Sequence, residues 1–108
     1  MTIYAMMEFS ILLTARAPER NIWRSYQISV GRDLLGEWIV ETTYGRMGSR
    51  GNTRVVTVAN REEALGYVRH CLKKRASAPK RIGIRYQVVG VKGTVDFSEI
   101  DPERESFH

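Results

Sequence analysis

A nine-residue segment near the middle of the chain combines one aromatic ring, three glycines and two arginines: Tyr44-Gly45-Arg46-Met47-Gly48-Ser49-Arg50-Gly51-Asn52. The guanidinium groups of Arg46 and Arg50 are planar forks that bind phosphate or carboxylate oxygens in pairs, and the Tyr44 ring offers a face for stacking. Glycine allows positive φ and brings backbone N–H groups close to a ligand. The segment therefore has the residue types of an anion-binding loop. A glycine-rich hairpin turn with solvated arginines would have the same composition.

The charge of the chain favours a polyanionic partner. The net charge is +5 and the isoelectric point is about 9.7. Residues 98–108 carry four acidic residues and one arginine, so residues 1–97 carry a charge of +8. Arginine supplies 13 of the 17 basic residues, and its fork suits phosphate and carboxylate better than a lysine ammonium does. Nucleic acid or another polyanion is therefore a candidate partner.

Length and composition predict one soluble domain in a reducing compartment. A chain of 108 residues is long enough for one hydrophobic core. No segment approaches the roughly 18 consecutive apolar residues of a membrane span, and the first residues lack the features of a signal peptide. The single Cys71 cannot form an internal disulfide and provides no cysteine cluster for a metal. We therefore expect a cytoplasmic protein with no membrane association, no metal and no cofactor.

Alternation of apolar and polar residues predicts four strands before the first helix, over residues 9–16, 22–30, 37–44 and 53–58. In the second strand, Tyr26, Ile28 and Val30 share one face. In the third, Trp38 and Tyr44 belong to one face, so that Tyr44 ends the strand and opens the glycine-rich loop. A last strand is expected from about residue 82 to residue 89, with a possible continuation through residues 91–97.

The signals for one amphipathic helix agree with each other. Asn60 is a good N-cap, and Glu63 can complete a capping box. Acidic residues in the first turn and basic residues in the last match the helix dipole, and Ser77-Ala78-Pro79 ends the helix. One apolar stripe runs along it: Ala64, Leu65, Val68, Cys71 and Leu72. We expect an α+β fold, a twisted antiparallel sheet of five or six strands with this helix packed on one face. This domain should span residues 1–97, followed by an acidic tail, residues 98–108, that we expect to be mobile.

Four blocks of sequence match a known pattern in order: Asn21-Ile22-Trp23-Arg24-Ser25-Tyr26-Gln27-Ile28, then Trp38-Ile39-Val40 with the segment 44–52, then Asn60-Arg61-Glu62-Glu63-Ala64, then Lys73-Lys74. Together they resemble the WGR domain, a module named for its Trp-Gly-Arg motif and found in poly(ADP-ribose) polymerases and in bacterial proteins. The resemblance covers about residues 21–86, and Tyr44 occupies the position of the motif's tryptophan.

The resemblance implies a role in binding nucleic acid. In the polymerases this domain binds DNA at breaks, with the motif aromatic on a sugar near a 5′ terminus and basic residues on phosphates. Such contacts position a backbone and read no sequence, so we expect binding that depends on DNA structure and on salt. Beyond the loop, Arg54, Lys73 and Lys74 could form a track of basic side chains along the nucleic acid, and Arg75, Lys80 and Arg81 could extend it. The candidate nucleic-acid-binding residues are Tyr44, Gly45, Arg46, Gly48, Arg50, Asn52, Arg54, Lys73 and Lys74.

Catalysis has no support in the sequence. His70 lies in the middle of the predicted helix and His108 ends the chain, so neither has an evident catalytic partner. Glu62 and Glu63 are explained by helix capping, and metal-ligand spacings are absent. The sequence predicts a non-enzymatic nucleic-acid-binding module, most simply for DNA, that recognises structure or ends. The alternative is a protein–protein interaction adaptor that uses the same basic loop on an acidic partner surface. Both a monomer and a homodimer agree with the pattern.

Overall fold

One antiparallel sheet with a helix on one face forms the framework of the protein. The computed structural model describes residues 4–103. The strands are β1 (Tyr4–Ala17), β2 (Ile22–Asp33), β3 (Trp38–Arg46), β4 (Asn52–Val58) and β5 (Gln87–Gly93), in the order β4-β3-β2-β1-β5. The helices are α1 (Arg61–Ala76) and the short α2 (Ala78–Ile82) and α3 (Phe97–Ile100). The expected α+β class and main helix are confirmed, with five strands. No helix in the described range is long and apolar enough to cross a membrane.

The hydrophobic core lies between α1 and the sheet. Register pairs Leu13 with Tyr26 and Tyr26 with Tyr44, and directly opposed residues of an antiparallel ladder share a face. The face that carries Tyr26 therefore faces α1, as the alternation in β2 and β3 predicts. Its buried cluster combines strand and helix residues: Phe9, Ile11, Leu13, Tyr26, Ile28, Val30, Val40, Ala64, Leu65, Val68, Cys71 and Ile100.

The other sheet face contains a buried polar group. Ser29 Oγ donates to Ser10 Oγ at 2.9 Å, and Gln27 Nε2 donates to the same oxygen at 2.9 Å. Glu41 lies opposite Ser29 on β3, and the Tyr4 hydroxyl donates to Glu41 Oε1 at 3.1 Å. Burial, and secondarily Glu41, raise the pKa of this phenol above its ordinary value. The polar residues that alternate with the core positions are thus bonded across strands.

The start of α1 follows the predicted capping pattern. The Asn60 side chain accepts from the Glu63 N–H at 2.8 Å. Glu63 Oε1 accepts in return from the Ala59 N–H at 2.7 Å, one residue earlier than in the usual capping box. The predicted stop at Ser77 is also observed, because Ser77 caps the last turn. Sequence-local hydrogen bonds thus fix both ends of the helix.

The segment after α1 differs from the prediction. Residue 82 ends helix α2 instead of starting a strand, and β5 begins five residues later, at Gln87. Pro79 lies in the first turn of α2, where proline is well tolerated because its missing N–H is not needed. Gly83 then ends α2 with φ of 82°. The predicted continuation of the strand through residues 91–97 is correct only in part, because β5 extends to Gly93 but Phe97 begins helix α3.

The predicted acidic tail, residues 98–108, overlaps α3. Ile100 is buried in the core, and Asp96 caps α3 by accepting from the Ser98 N–H at 2.9 Å. The segment to residue 100 is therefore packed on the domain, because one apolar side chain among acidic ones reaches the core. Residues 104–108 of the predicted tail lie outside the described residues.

Candidate nucleic-acid interface

The helix-bearing face of the sheet has a corner that α1 does not fill. At this corner the residues of β2 and β3 follow each other in cross-strand rows, about 7 Å apart along the strands. One row pairs Arg24 with Arg46, and the next pairs Tyr26 with Tyr44. In the row after that, Thr42 pairs with Arg54 of β4. Arginine rows thus flank a tyrosine row on one wall of an open cleft.

The opposite wall comes from α1 and the segment after it. Tyr67, His70, Cys71, Lys74 and Arg75 share one side of α1, since they are three or four residues apart. Arg81 and Ile82 of α2, with Tyr86, complete this wall. We call the space between the two walls the basic cleft. It has a volume of about 780 Å³.

The basic cleft is positively charged throughout. Six of its lining side chains are permanent cations, and all of the lining lies in the described range, where it includes no aspartate or glutamate. The ion pairs formed among residues 4–103 join Arg61 to Glu8 and Glu99, so none of them involves a cleft cation. Unneutralised cations this close together repel one another, and an anion between them relieves that repulsion. The six cations are Arg24, Arg46, Arg54, Lys74, Arg75 and Arg81.

Arg75 is held at the base of the cleft by aromatic rings. Its guanidinium carbon lies 4.4 Å from the centre of the Tyr26 ring and 5.9 Å from the centre of the Tyr86 ring. Its Nε is buried and has no hydrogen-bond partner within the described part of the chain. Burial raises the pKa of the Tyr26 phenol above its ordinary value, so the ring beneath the cation stays neutral at physiological pH. Cation–π contacts therefore orient Arg75 without neutralising its charge.

Arg46 is oriented by the turn that precedes β2. Asn21 adopts a left-handed conformation with φ of 55°, and its side-chain oxygen accepts from Arg46 Nη2 at 3.1 Å. The Met47 N–H donates to the Trp23 carbonyl at 2.8 Å, which extends the β2–β3 pairing to the edge of the hairpin loop. The first sequence block and the glycine-rich segment thus meet at the mouth of the cleft.

The connection between β3 and β4 is shorter than the predicted loop. Tyr44 and Asn52 form a cross-strand pair, so only residues 47–51 lie between the strands. Gly51 has φ of 75°, and a Cβ there would lie 2.8 Å from the Tyr44 carbonyl oxygen. Gly45 faces Gly51, and a Cβ on Gly45 would lie 2.9 Å from the Gly51 Cα. These two glycines are required by close packing inside the hairpin.

The structure divides the predicted site residues into two groups. Tyr44, Gly45, Arg46, Arg54 and Lys74 line the basic cleft. The other four are near it but outside its lining. Gly48 and Arg50 lie in the hairpin loop, Asn52 begins β4, and Lys73 lies on α1 beside Lys74. The proposed contacts of both groups with a ligand remain predictions.

Several residues that line the basic cleft are not among the nucleic-acid-binding residues predicted from the sequence. Tyr67 and Tyr86 have half-buried rings, and Arg24 is an exposed cation. Arg24 could have been predicted from the sequence, because it lies two residues before Tyr26 in β2 and therefore shares its face of the strand. Tyr67 and Tyr86 gave no such signal, since the first lies in the helix and the second follows α2. Among residues 4–103 no group of histidine, cysteine, aspartate or glutamate side chains could hold a metal ion.

Comparison with protein families decides the family of the chain. The model of the WGR domain matches residues 9–78, which is most of the chain. The chain belongs to the WGR domain family. Comparison with curated proteins and with solved structures gave no match.

The WGR match covers most of β1, all of β2 to β4, and α1. WGR domains of poly(ADP-ribose) polymerases are modules of a nucleic-acid-binding type. The motif loop of this WGR domain lies at the mouth of the basic cleft, with Tyr44 in place of the motif tryptophan. Arg81 and Tyr86 of the cleft lie beyond the matched range. One wall of the cleft is thus built partly from residues beyond the range that the family model matches.

Proposed function

We propose that this WGR domain is a non-enzymatic module that binds DNA through the basic cleft and the adjoining hairpin loop, and that it recognises DNA structure or ends rather than sequence. The observation that supports this function is the convergence, beside an exposed tyrosine, of six cations that form no ion pair within residues 4–103, in a cleft whose lining has no acidic side chain. Tyr44 is 46% exposed, which leaves a ring face for a sugar or a terminal base.

The cations of the cleft suit phosphate oxygens. Arg24 and Arg46 form a cross-strand pair at the mouth, so two guanidinium forks can bind successive phosphates of one strand. Arg50, exposed in the hairpin loop, can add a contact to the backbone outside the cleft. Phosphate contacts of this kind set affinity and register and carry no sequence information.

Fluorescence anisotropy with three DNA probes tests this function: an intact duplex, a nicked duplex and a 5′-phosphorylated blunt duplex, each over a series of salt concentrations. We expect affinity to fall steeply with salt, with a logarithmic slope of about −0.9 per neutralised phosphate, and to be highest for the nicked or blunt probe. Absence of salt-sensitive binding to every duplex would contradict the proposal.

A matched pair of arginine variants locates the interface. Arg24 and Arg16 lie on adjacent strands but on opposite sheet faces, since Arg24 pairs with Ala15 of the buried face and Arg16 pairs with Trp23. Both side chains are exposed. Arg24→Gln should weaken binding to all probes and make the salt slope shallower by up to about 0.9, whereas Arg16→Gln should have a much smaller effect. Equal losses would mean that binding is spread over the whole basic surface.

A further inference from the structure

The basic cleft has a shape that a duplex does not match. It has walls on two sides, the sheet corner and α1, and its volume of about 780 Å³ is that of a small-ligand pocket. Such pockets, about 300–1,000 Å³, enclose a molecule the size of one or two nucleotides. A double helix can contact the cations from the mouth of the cleft, and an unpaired strand, which is narrower, fits the size of the cleft better.

The lining alternates rings with cations on both walls. On the sheet wall the Tyr26–Tyr44 row lies between the Arg24–Arg46 row and the row that contains Arg54. On the helix wall Tyr67 lies two helical turns before Lys74 and Arg75. Proteins that bind single strands combine a positive groove with rings on which bases stack, because every unpaired base exposes two ring faces. Inside a duplex those faces are covered by neighbouring base pairs.

The tyrosine rings of the cleft differ in how much of each ring is exposed to a ligand. Tyr26 is 4% exposed and is covered by Arg75, so it supports that cation and cannot stack on a ligand. Tyr44 at the mouth is exposed, and Tyr67 and Tyr86 on the far wall are half-buried. A strand in the cleft can therefore contact Tyr44 on the sheet wall and Tyr67 and Tyr86 on the opposite wall.

We infer that the basic cleft of this protein binds a short single-stranded DNA segment, such as an unpaired tail at a duplex end, with bases against Tyr67 and Tyr86 and phosphates against Arg24, Lys74 and Arg81. This inference rests on the proposed function and adds the ligand class. The duplex beside the tail lies at the mouth, next to Tyr44 and the hairpin loop. The protein would then prefer tailed ends to blunt ends because only a tail fills the cleft.

The test compares one duplex in two forms, blunt and with a five-nucleotide thymidine tail, by anisotropy at matched salt. We expect the tailed duplex to bind at least about fivefold more tightly, the lower end of the effect of stacking one base. An unlabelled thymidine oligonucleotide should compete with the tailed duplex more effectively than the unlabelled blunt duplex does.

Variants of the full chain locate the tail. Tyr67→Leu keeps an apolar side chain against the core and should lower the ratio of tailed to blunt affinity towards one, as should Arg81→Gln at the exposed end of the cleft. Lys92→Gln, which removes an exposed charge on β5, should leave the ratio unchanged. A ratio does not respond to a simple loss of folded protein, so reduced stability cannot imitate this result.

Failure of the inference can be told apart from failure of the proposed function. Equal affinity of blunt and tailed duplexes, with salt-sensitive binding of both, would overturn the single-strand inference and leave duplex binding intact. Retention of the full tail preference by both Tyr67→Leu and Arg81→Gln would also overturn it, because the tail would then lie outside the cleft. No binding of any probe would overturn both proposals.

Discussion

Single residues decide what the motif loop can contribute. Tyr44 combines two roles, since its backbone pairs with Tyr26 and Asn52 on either side while almost half of its side chain remains exposed. A tyrosine has a smaller ring than the motif tryptophan, but it retains a flat face and a polar tip. The aromatic role of the family can therefore be served at this position without any change of the hairpin.

Replacement of Tyr44 tests that role. Tyr44→Ala should weaken binding to blunt or nicked DNA by about 5- to 150-fold, which corresponds to the 1–3 kcal/mol of one stacking contact, and should have less effect on intact duplex. Tyr44→Phe preserves the ring and serves as the control. Anisotropy titrations with the three duplex probes measure the difference. If alanine and phenylalanine behave alike, the ring does not contact the ligand.

The secondary-structure elements show which parts of the fold a sequence can predict. The strands of the sheet and α1 follow from local signals, alternation in Tyr26, Ile28 and Val30 and the Asn60 cap. Helix α2 is not predicted by the sequence, because Ala78-Pro79 is compatible both with the end of one helix and with the start of another. Only tertiary packing decides which of the two occurs. Helix α3 was missed because a single buried residue, Ile100, lies among acidic neighbours and leaves no periodic pattern.

The β3–β4 hairpin offers a matched glycine test. Gly51 and Gly48 both have positive φ, of 75° and 86°, but a Cβ on Gly51 would meet the Tyr44 carbonyl whereas a Cβ on Gly48 has no atom within 4 Å. Gly48→Ala should therefore lower the free energy of unfolding only by the left-handed penalty, about 1–2 kcal/mol. Gly51→Ala should cost more and should also weaken DNA binding by displacing Tyr44. Urea unfolding compares the two, and equal losses would show that the hairpin accommodates the extra carbon.

The whole molecule joins elements that are distant in sequence. Arg61 at the start of α1 binds Glu8 of β1 with Nη2 to Oε2 at 2.6 Å and Glu99 of α3 with Nη2 to Oε1 at 3.2 Å. Hydrogen bonds to Glu8 and then to Glu99 raise the pKa of Arg61 above its ordinary value, so the group remains charged throughout the pH range of folding. These two ion pairs lie outside the basic cleft, and the pair with Glu99 links the acidic C-terminal segment to the domain.

Removal of the Arg61 ion pairs should have a modest effect on the free energy of unfolding. The Arg61 side chain is 39% exposed, so solvent screening limits its contribution, and Arg61→Ala should lower the free energy of unfolding by about 1 kcal/mol. The deficit should shrink at high salt, because salt screens partly exposed pairs. Arg85→Ala, which removes an exposed arginine that forms no ion pair within residues 4–103, is the control for urea unfolding. A deficit independent of salt would contradict the electrostatic explanation.

The basic cleft also depends on the packing of the whole molecule. The motif loop and the basic end of α1 can be recognised in the sequence, but their convergence cannot. Arg24, Lys74 and Arg81 are far apart along the chain and line one cleft only because α1 packs on the sheet and α2 packs against α1. The same packing places Lys74 in the lining of the cleft and leaves its neighbour Lys73 outside it, although the sequence predicts the same role for both.

This separation provides the most direct test of the account, which is the salt dependence of DNA binding by Lys74→Gln and Lys73→Gln. The two variants make the same chemical change on exposed neighbours of one helix, but only Lys74 lines the basic cleft. We expect Lys74→Gln to weaken binding to the tailed duplex and to make the logarithmic salt slope shallower by up to about 0.9, with a clearly smaller change for Lys73→Gln. Equal changes in the two variants, or a larger change for Lys73→Gln, would contradict the placement of DNA in the cleft.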